Sequence, residues 1–171
     1  MALAVRTAYG CGLIAAIACL IAGLSCSDPE PGQIAFFSDR SGSVQLYTLD
    51  ADGPGLARLT DEAAPALFPS WSPDGTRLVF VSGQGGAREL HVVNPNGTDA
   101  ARLTDNNAVD DTPIWSPDGT RILFKSERDG NAEIYVMDAG GGNQRNLTRD
   151  LGRDIFPAWS PDATRIAFSS N

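Results

Sequence analysis

The seven residues Trp71-Ser72-Pro73-Asp74-Gly75-Thr76-Arg77 return as Trp115 to Arg121 and again, with one change, as Trp159 to Arg165, spaced 44 residues apart both times. A fixed period of that length marks a repeat architecture, in which each copy is one supersecondary unit that buries its apolar face only by stacking on its neighbours. The same beat runs through the rest of the chain. Ile34-Ala35-Phe36, Leu78-Val79-Phe80, Ile122-Leu123-Phe124 and Ile166-Ala167-Phe168 are in register, as are Leu46-Tyr47, Leu90-His91 and Ile134-Tyr135, and Leu59-Thr60, Leu103-Thr104 and Leu147-Thr148. These apolar runs are short and bounded by Gly, Pro, Asp and Asn, so they read as strands. No window after Cys26 offers a helical period.

One repeat reads as four antiparallel strands: Phe68 to Trp71, Arg77 to Ser82, Glu89 to Asn94 and Ala101 to Thr104. Pro73-Asp74-Gly75, Gln84-Gly85-Gly86 and Pro95-Asn96-Gly97 supply the turns between them. The second strand is apolar on both faces, Leu78 and Phe80 on one and Val79 and Val81 on the other. A sheet buried on both faces needs a neighbour on each side, which is how the blades of a β-propeller sit. The expected fold is all-β, a partial propeller of about three four-stranded blades over residues 34–171.

The WSPDGTR turn leads into an Ile-x-Phe strand, then a Leu/Ile-Tyr strand ending in Asp, then an Arg-x-Leu-Thr strand. This order resembles the β-propeller repeats of the TolB family, periplasmic components of the Tol-Pal envelope system. The resemblance covers Ile34 to Asn171 and is carried by scaffold residues. It implies a binding or scaffold role among envelope proteins, with association to a Pal-like lipoprotein or peptidoglycan following by analogy only. Similar repeats occur in the propellers of prolyl oligopeptidases. The chain departs from the family in two respects: TolB-like proteins place an α/β domain before the propeller and are free in the periplasm.

The first residues have the layout of an export signal. Met1 to Thr7 carries one positive charge, Ala8 to Leu24 is apolar and small, and Gly23-Leu24-Ser25-Cys26 closes the segment. This end resembles a bacterial lipoprotein signal, with Gly23 where leucine is preferred. The resemblance implies a signal over 1–25, lipidation of Cys26, a tether over 26–33, and a protein exported to the periplasm or cell surface on a lipid anchor. More than one acyl chain holds such an anchor stably. An uncleaved anchor and cleavage near Cys19 are the competing readings. Cys11, Cys19 and Cys26 are the only cysteines, so the body has neither disulfide nor thiolate metal site. The formal net charge of −8 argues against nucleic acid and against electrostatic docking on anionic lipid.

Residues identical in every copy read as structural. Trp71, Trp115 and Trp159 each follow a proline by two positions and fit blade-to-blade packing, while Arg77, Arg121 and Arg165 are expected to satisfy turn carbonyls or a neighbouring Asp. His91, the only histidine, stands where Tyr47 and Tyr135 stand, and reads as a packing residue. Asp110 and Asp154 share one repeat position, where the first full copy has Ala66. With Asp111, they are the candidate loop or channel contacts for a cation or basic side chain, set against the plainer reading of solvated carboxylates. Asp50-Ala51-Asp52-Gly53 and Glu127-Arg128-Asp129-Gly130-Asn131 lack the glutamate of a calcium loop and read as turns. Ala163 replaces Gly75 and Gly119. No catalytic residue, metal ligand or cofactor site is expected.

The strand count is incomplete: the first copy lacks its first strand and the last its third and fourth. A fragment of a six- or seven-bladed protein is the favoured expectation, against a homodimer closing a six-bladed ring and an open solenoid. The expected function is a non-enzymatic, membrane-anchored binding module of the cell envelope. The alternative is the truncated propeller of a prolyl-oligopeptidase-like peptidase or other propeller enzyme, although no G-x-S-x-G serine is present.

Overall fold

A computed structural model describes residues 32–61 and 63–171; the expected signal over 1–25, Cys26 and the tether through residue 31 lie outside the described residues. The described chain is all-β, with thirteen strands and no helix among the described residues. Blade 1 holds β1 (Gln33–Ser38), β2 (Gln45–Asp50) and β3 (Ala57–Arg58). Blade 2 holds β4 (Ala66–Trp71), β5 (Leu78–Gln84), β6 (Ala87–Val93) and β7 (Ala101–Arg102). Blade 3 holds β8 (Asp110–Trp115), β9 (Arg121–Ser126), β10 (Glu133–Asp138) and β11 (Arg145–Asn146). Blade 4 has β12 (Ile155–Trp159) and β13 (Ile166–Ser169). Each sheet runs antiparallel in simple sequence order.

Pleating sends alternate residues of the second strand to opposite blade interfaces. Leu78, Phe80 and Val93 of blade 2 pack on Ala35, Leu46 and Leu59 of blade 1. Val79, Val81, Leu90 and Val92, on the other face, pack on Ile122, Phe124, Tyr135 and Met137 of blade 3. Leu123, Ile134 and Val136 of blade 3 then meet Trp159 and Ile166 of blade 4. Phe80 and Phe124 are fully buried, and truncating an aromatic so placed costs about 3–5 kcal/mol.

The blades splay from a common inner edge. The innermost strands β1, β4, β8 and β12 pack one on the next, while the outer strands β3, β7 and β11 make no comparable contact with each other. Wedges joined at their narrow edge arrange around an axis, which gives the arc of a partial propeller.

The repeated turn is held by its own side chains. Ser72 Oγ donates to Asp74 Oδ1 (2.6 Å), which also accepts from Thr76 N (3.0 Å) and Thr76 Oγ1 (2.8 Å), and Arg77 N donates to Ser72 Oγ (2.9 Å). Ser116-Asp118-Thr120 and Ser160-Asp162-Thr164 repeat the pattern. Gly75 and Gly119 sit at φ +70° and +72°, and Ala163 takes the same left-handed conformation at φ +56°. A side chain there costs about 1 kcal/mol relative to glycine, so the last copy keeps the turn at the expense of strain.

The arginine that ends the motif reaches forward to the next blade. The Arg77 guanidinium lies 5.0 Å over Trp115 and that of Arg121 4.7 Å over Trp159. Arg121 also donates to the carbonyl of Ala163 (3.1 Å), in the next blade's turn. The expected turn-carbonyl role is thus present across the interface, joined to a cation–π contact.

The donors around Asp74 and Asp118, the serine hydroxyls first, hold both carboxyls at about 2, below the ordinary 3.8. A carboxyl with a lower pKa in the folded state contributes stability above about pH 4 that is lost as pH falls through about 2. Both turns are solvent-exposed, so the effect of each is modest. Urea midpoints measured from pH 5 to pH 2 are therefore expected to fall across that window, and to fall less steeply in Asp74→Asn/Asp118→Asn.

Candidate functional site

The inner strands carry a defect that recurs in every blade with a first strand. Pairing slips between Leu67 and Ser70, between Asp111 and Ile114, and between Ile155 and Ala158. In each slip lies a non-glycine residue in the left-handed region: Phe68 (φ +51°), Thr112 (+50°) and Phe156 (+54°). Each precedes a proline, Pro69, Pro113 or Pro157. Proline excludes its predecessor from the right-handed helical region and offers no N–H to the ladder, so a bulge is where a strand tolerates it. Bulky or β-branched residues held at positive φ cost about 1–3 kcal/mol each, and bulges re-aim side chains.

Here the bulge presents aromatic rings. Phe68 is 40% exposed and Phe156 69%, at the edge nearest the axis. Phe37 meets Phe68 edge-on, with centroids 5.8 Å apart. The sequence reading ran a smooth strand from Phe68 to Trp71 and missed this row. Its signal was present in the proline two places before each Trp.

The acidic candidates separate. Asp110 does not lie in a solvated loop: it is the first residue of β8 and fully buried. Its carboxylate accepts from Ser126 Oγ (2.6 Å), Asn106 Nδ2 (2.7 Å) and the Arg128 guanidinium (2.7 Å). Three donors compensate the loss of water that burial imposes on the carboxylate. Arg128 in turn lies over the rings of Phe124 (5.6 Å) and Tyr135 (4.7 Å). Arg128 is the residue in the presumed turn that the sequence reading left without a role.

Asp111, also buried, pairs with Arg88 (3.0 Å) and lies 3.9 Å from Lys125, which pairs with Glu127 (3.0 Å). This group is not repeated: Leu67 and Ile155 hold the place of Asp111, and Val81 and Ser169 that of Lys125. Asp154, fully buried, has neither carboxylate oxygen hydrogen-bonded. Three carboxylates the sequence grouped are therefore in three situations, and the structure does not bring them into one cation site. Among the described residues no three or more His, Cys, Asp or Glu side chains are gathered to hold a metal.

His91 stacks on Phe80 with centroids 5.5 Å apart, as Tyr47 does on Phe36 and Tyr135 on Phe124. Asp129, in the loop read as a turn, accepts from the Tyr135 hydroxyl and from Asn146 Nδ2 (2.8 Å). Burial, then the Asp129 contact, push the Tyr135 phenol up to about 12, so it stays a neutral donor. The inner edge thus sets the exposed rings of Phe68 and Phe156 beside the buried ion pairs of Asp110 and Asp111 and the unbonded carboxylate of Asp154.

Removing one partner of a buried ion pair leaves the other uncompensated, at about 3–5 kcal/mol. Asp110→Ala is expected near the lower figure, because Arg128 is partly solvated, and equilibrium urea unfolding with an unchanged m-value checks it.

Residues 61–171 match the family model described as the TolB beta propeller domain. The Tol-Pal system protein TolB of Syntrophotalea carbinolica is 40% identical over 47 residues, which is 28% of this chain and 11% of that protein. The solved structure of putative TolB from Agrobacterium tumefaciens superposes with a TM-score of 0.75 at 26% identity, covering 81% of this chain and 50% of that one. TolB from Acinetobacter baumannii gives 0.70 at 26% identity, covering 80% and 34%. The chain thus spans half or less of these solved relatives.

Proposed function

Because the chain belongs to the TolB beta propeller domain family, we propose that it is a non-catalytic binding module of the bacterial cell envelope, anchored to a membrane through lipid on Cys26. Its inner edge is the contact surface, and its partner is an envelope protein of the kind a Tol-Pal component meets, a Pal-like lipoprotein being the first to try.

The observation that carries this reading is the row of bulge residues. Phe68 and Phe156 hold strained backbone and yet are 40% and 69% exposed. Strain that contributes nothing to the core is expected where a surface is preorganised for a partner, and aromatic anchors commonly supply most of the energy of protein contacts. The acidic surface steers such a module toward proteins with basic patches and away from nucleic acid. A lipid on Cys26 would hold the arc close to the membrane, with the residues before Gln33 as spacer.

The test uses the full chain, expressed in a Gram-negative host with a Pal-like lipoprotein as bait. Phe68→Ser/Phe156→Ser is expected to weaken capture by about tenfold or more, with unchanged far-ultraviolet circular dichroism because both rings are exposed. Cys26→Ala is expected to abolish labelling by radioactive palmitate and to move the protein from the membrane fraction to the soluble one. Equal capture by the double variant overturns the inner-edge assignment, and persistent membrane association without label overturns the anchor.

A further inference from the structure

Blades 1, 2 and 3 build one corner alike. A threonine just past the outer strand, Thr60, Thr104 or Thr148, donates to the side chain of Gln45, Glu89 or Glu133 and accepts from the backbone N–H of the residue after it. In blade 2 an arginine of the outer strand completes the corner. Arg102 Nε donates to the carbonyl of Thr104 (2.6 Å), and its Nη2 pairs with the buried Glu89 (3.0 Å). In blade 1 Arg58 Nε donates likewise to the carbonyl of Thr60 (2.7 Å). Each arginine also pairs with the aspartate three residues on, Asp61 or Asp105. The planar guanidinium is thus seated among acceptors of its own blade.

Blade 3 keeps the corner and changes the arginine. Glu133, 2% exposed, accepts from Thr148 Oγ1 and from Asn131 Nδ2 (2.9 Å). The place of Arg58 and Arg102 is Asn146, whose short amide turns to Asp129 Oδ2 (2.8 Å). A cavity of about 540 Å³ lies there, between β10, β11 and the loops that flank them, walled by Asp129, Asn131, Glu133, Tyr135, Asn146 and the exposed Arg149. Its volume is in the range of ligand sites, about 300–1,000 Å³. The Tyr135 hydroxyl, then Asn146, hold Asp129 below the usual carboxylate range, so the wall carries a second anionic group beside Glu133. Asp129, Asn131, Asn146 and Arg149 stand where blade 2 has Gly85, Ala87, Arg102 and Asp105, and none of the four recurs in blade 1. These departures from the repeat meet on one cavity.

We propose that this cavity is a seat for a guanidinium carried by a ligand, the arginine side chain of a partner protein, which meets Glu133 as Arg102 meets Glu89. Blade 2 shows the chemistry. A glutamate carboxylate and a threonine carbonyl take two edges of one planar fork. A lysine ammonium has no such fork and a neutral citrulline has no charge, so both suit the seat less well. Asp129 adds an attraction that blade 2, with Gly85 at that place, lacks. Arg149 opposes it, standing where Asp105 receives the guanidinium in blade 2, and limits the affinity. The net charge of −8 favours a basic partner. The seat lies on the outer strands of blade 3, away from the inner edge, and does not depend on the function proposed for that edge.

The test titrates the full chain, isotope-labelled and held in detergent, with N-acetylarginine amide, and follows the side-chain amide resonances of Asn131 and Asn146. Saturable shifts of millimolar affinity are expected, weaker for N-acetyllysine amide and absent for N-acetylcitrulline amide. Free arginine is expected to bind no better than the amide. Glu133→Gln is expected to lose about tenfold or more in affinity, and Asn146→Arg, which brings a guanidinium of its own, to lose binding at Asn131 altogether. Arg149→Asp is expected to tighten binding about threefold. Each variant places in blade 3 a residue that another blade carries there, Gln45, Arg102 or Asp105, so the corner is one the fold already holds. Should a variant still fail to fold, the arginine and citrulline compounds on the wild type decide. Wild-type protein without saturable shifts, equal binding of the citrulline compound, or full binding by Glu133→Gln or Asn146→Arg overturns the proposal. Tighter binding of free arginine overturns the assignment to a protein side chain, and weaker binding by Arg149→Asp assigns the cavity to an anion instead.

Discussion

The structure depends on the burial of the second strand of each blade on both its faces. Leu78 and Phe80 face blade 1 while Val79 and Val81 face blade 3, so one strand contributes to two cores. A four-stranded sheet with two apolar faces has no stable existence alone. Its folding is the stacking of its neighbours, and stability is distributed over nearest-neighbour interfaces rather than gathered in one centre.

Stacking alone would leave the blades free to slide, and the repeated turn removes that freedom. Asp74 and its copies tie a serine, a threonine and the backbone into a rigid loop, from which an arginine projects onto the next blade's tryptophan. Motif residues that look redundant when read one copy at a time thus work between copies. Held in this way, the inner strands of blades 2 to 4 can each sustain a bulge, with Phe68, Thr112 or Phe156 at positive φ. The strain at the inner edge is offset by the interfaces behind it.

Charge follows two rules in the same scaffold. Asp110 with Arg128 lies within blade 3, with Ala66 and Gln84 at the corresponding places of blade 2, and it buries an ion pair by giving the carboxylate three donors. Asp111 with Arg88 and Lys125 belongs to one interface only. The exposed rings of Phe68 and Phe156, with Thr112 between them in the repeat order, are a separate feature of the inner edge.

Much was determined by the sequence alone. The 44-residue period, the strand order and the two-faced second strand follow from where Gly, Pro and apolar residues recur, because turn chemistry and pleating are local. The positive φ at Ala163 follows likewise from Gly75 and Gly119. What only the tertiary structure decided concerns groups whose partners lie outside their own segment. Asp110, Asp111 and Asp154 look alike in sequence, yet one is bonded, one belongs to a charge network and one is orphaned, since burial and donors come from other strands and other blades. Phe68 stood in the sequence only as the start of a first strand, and the bulge before a proline that exposes it and Phe156 belongs to the fold. Local pattern specifies elements, and the energy of a buried or exposed side chain is set by what the folded chain places beside it.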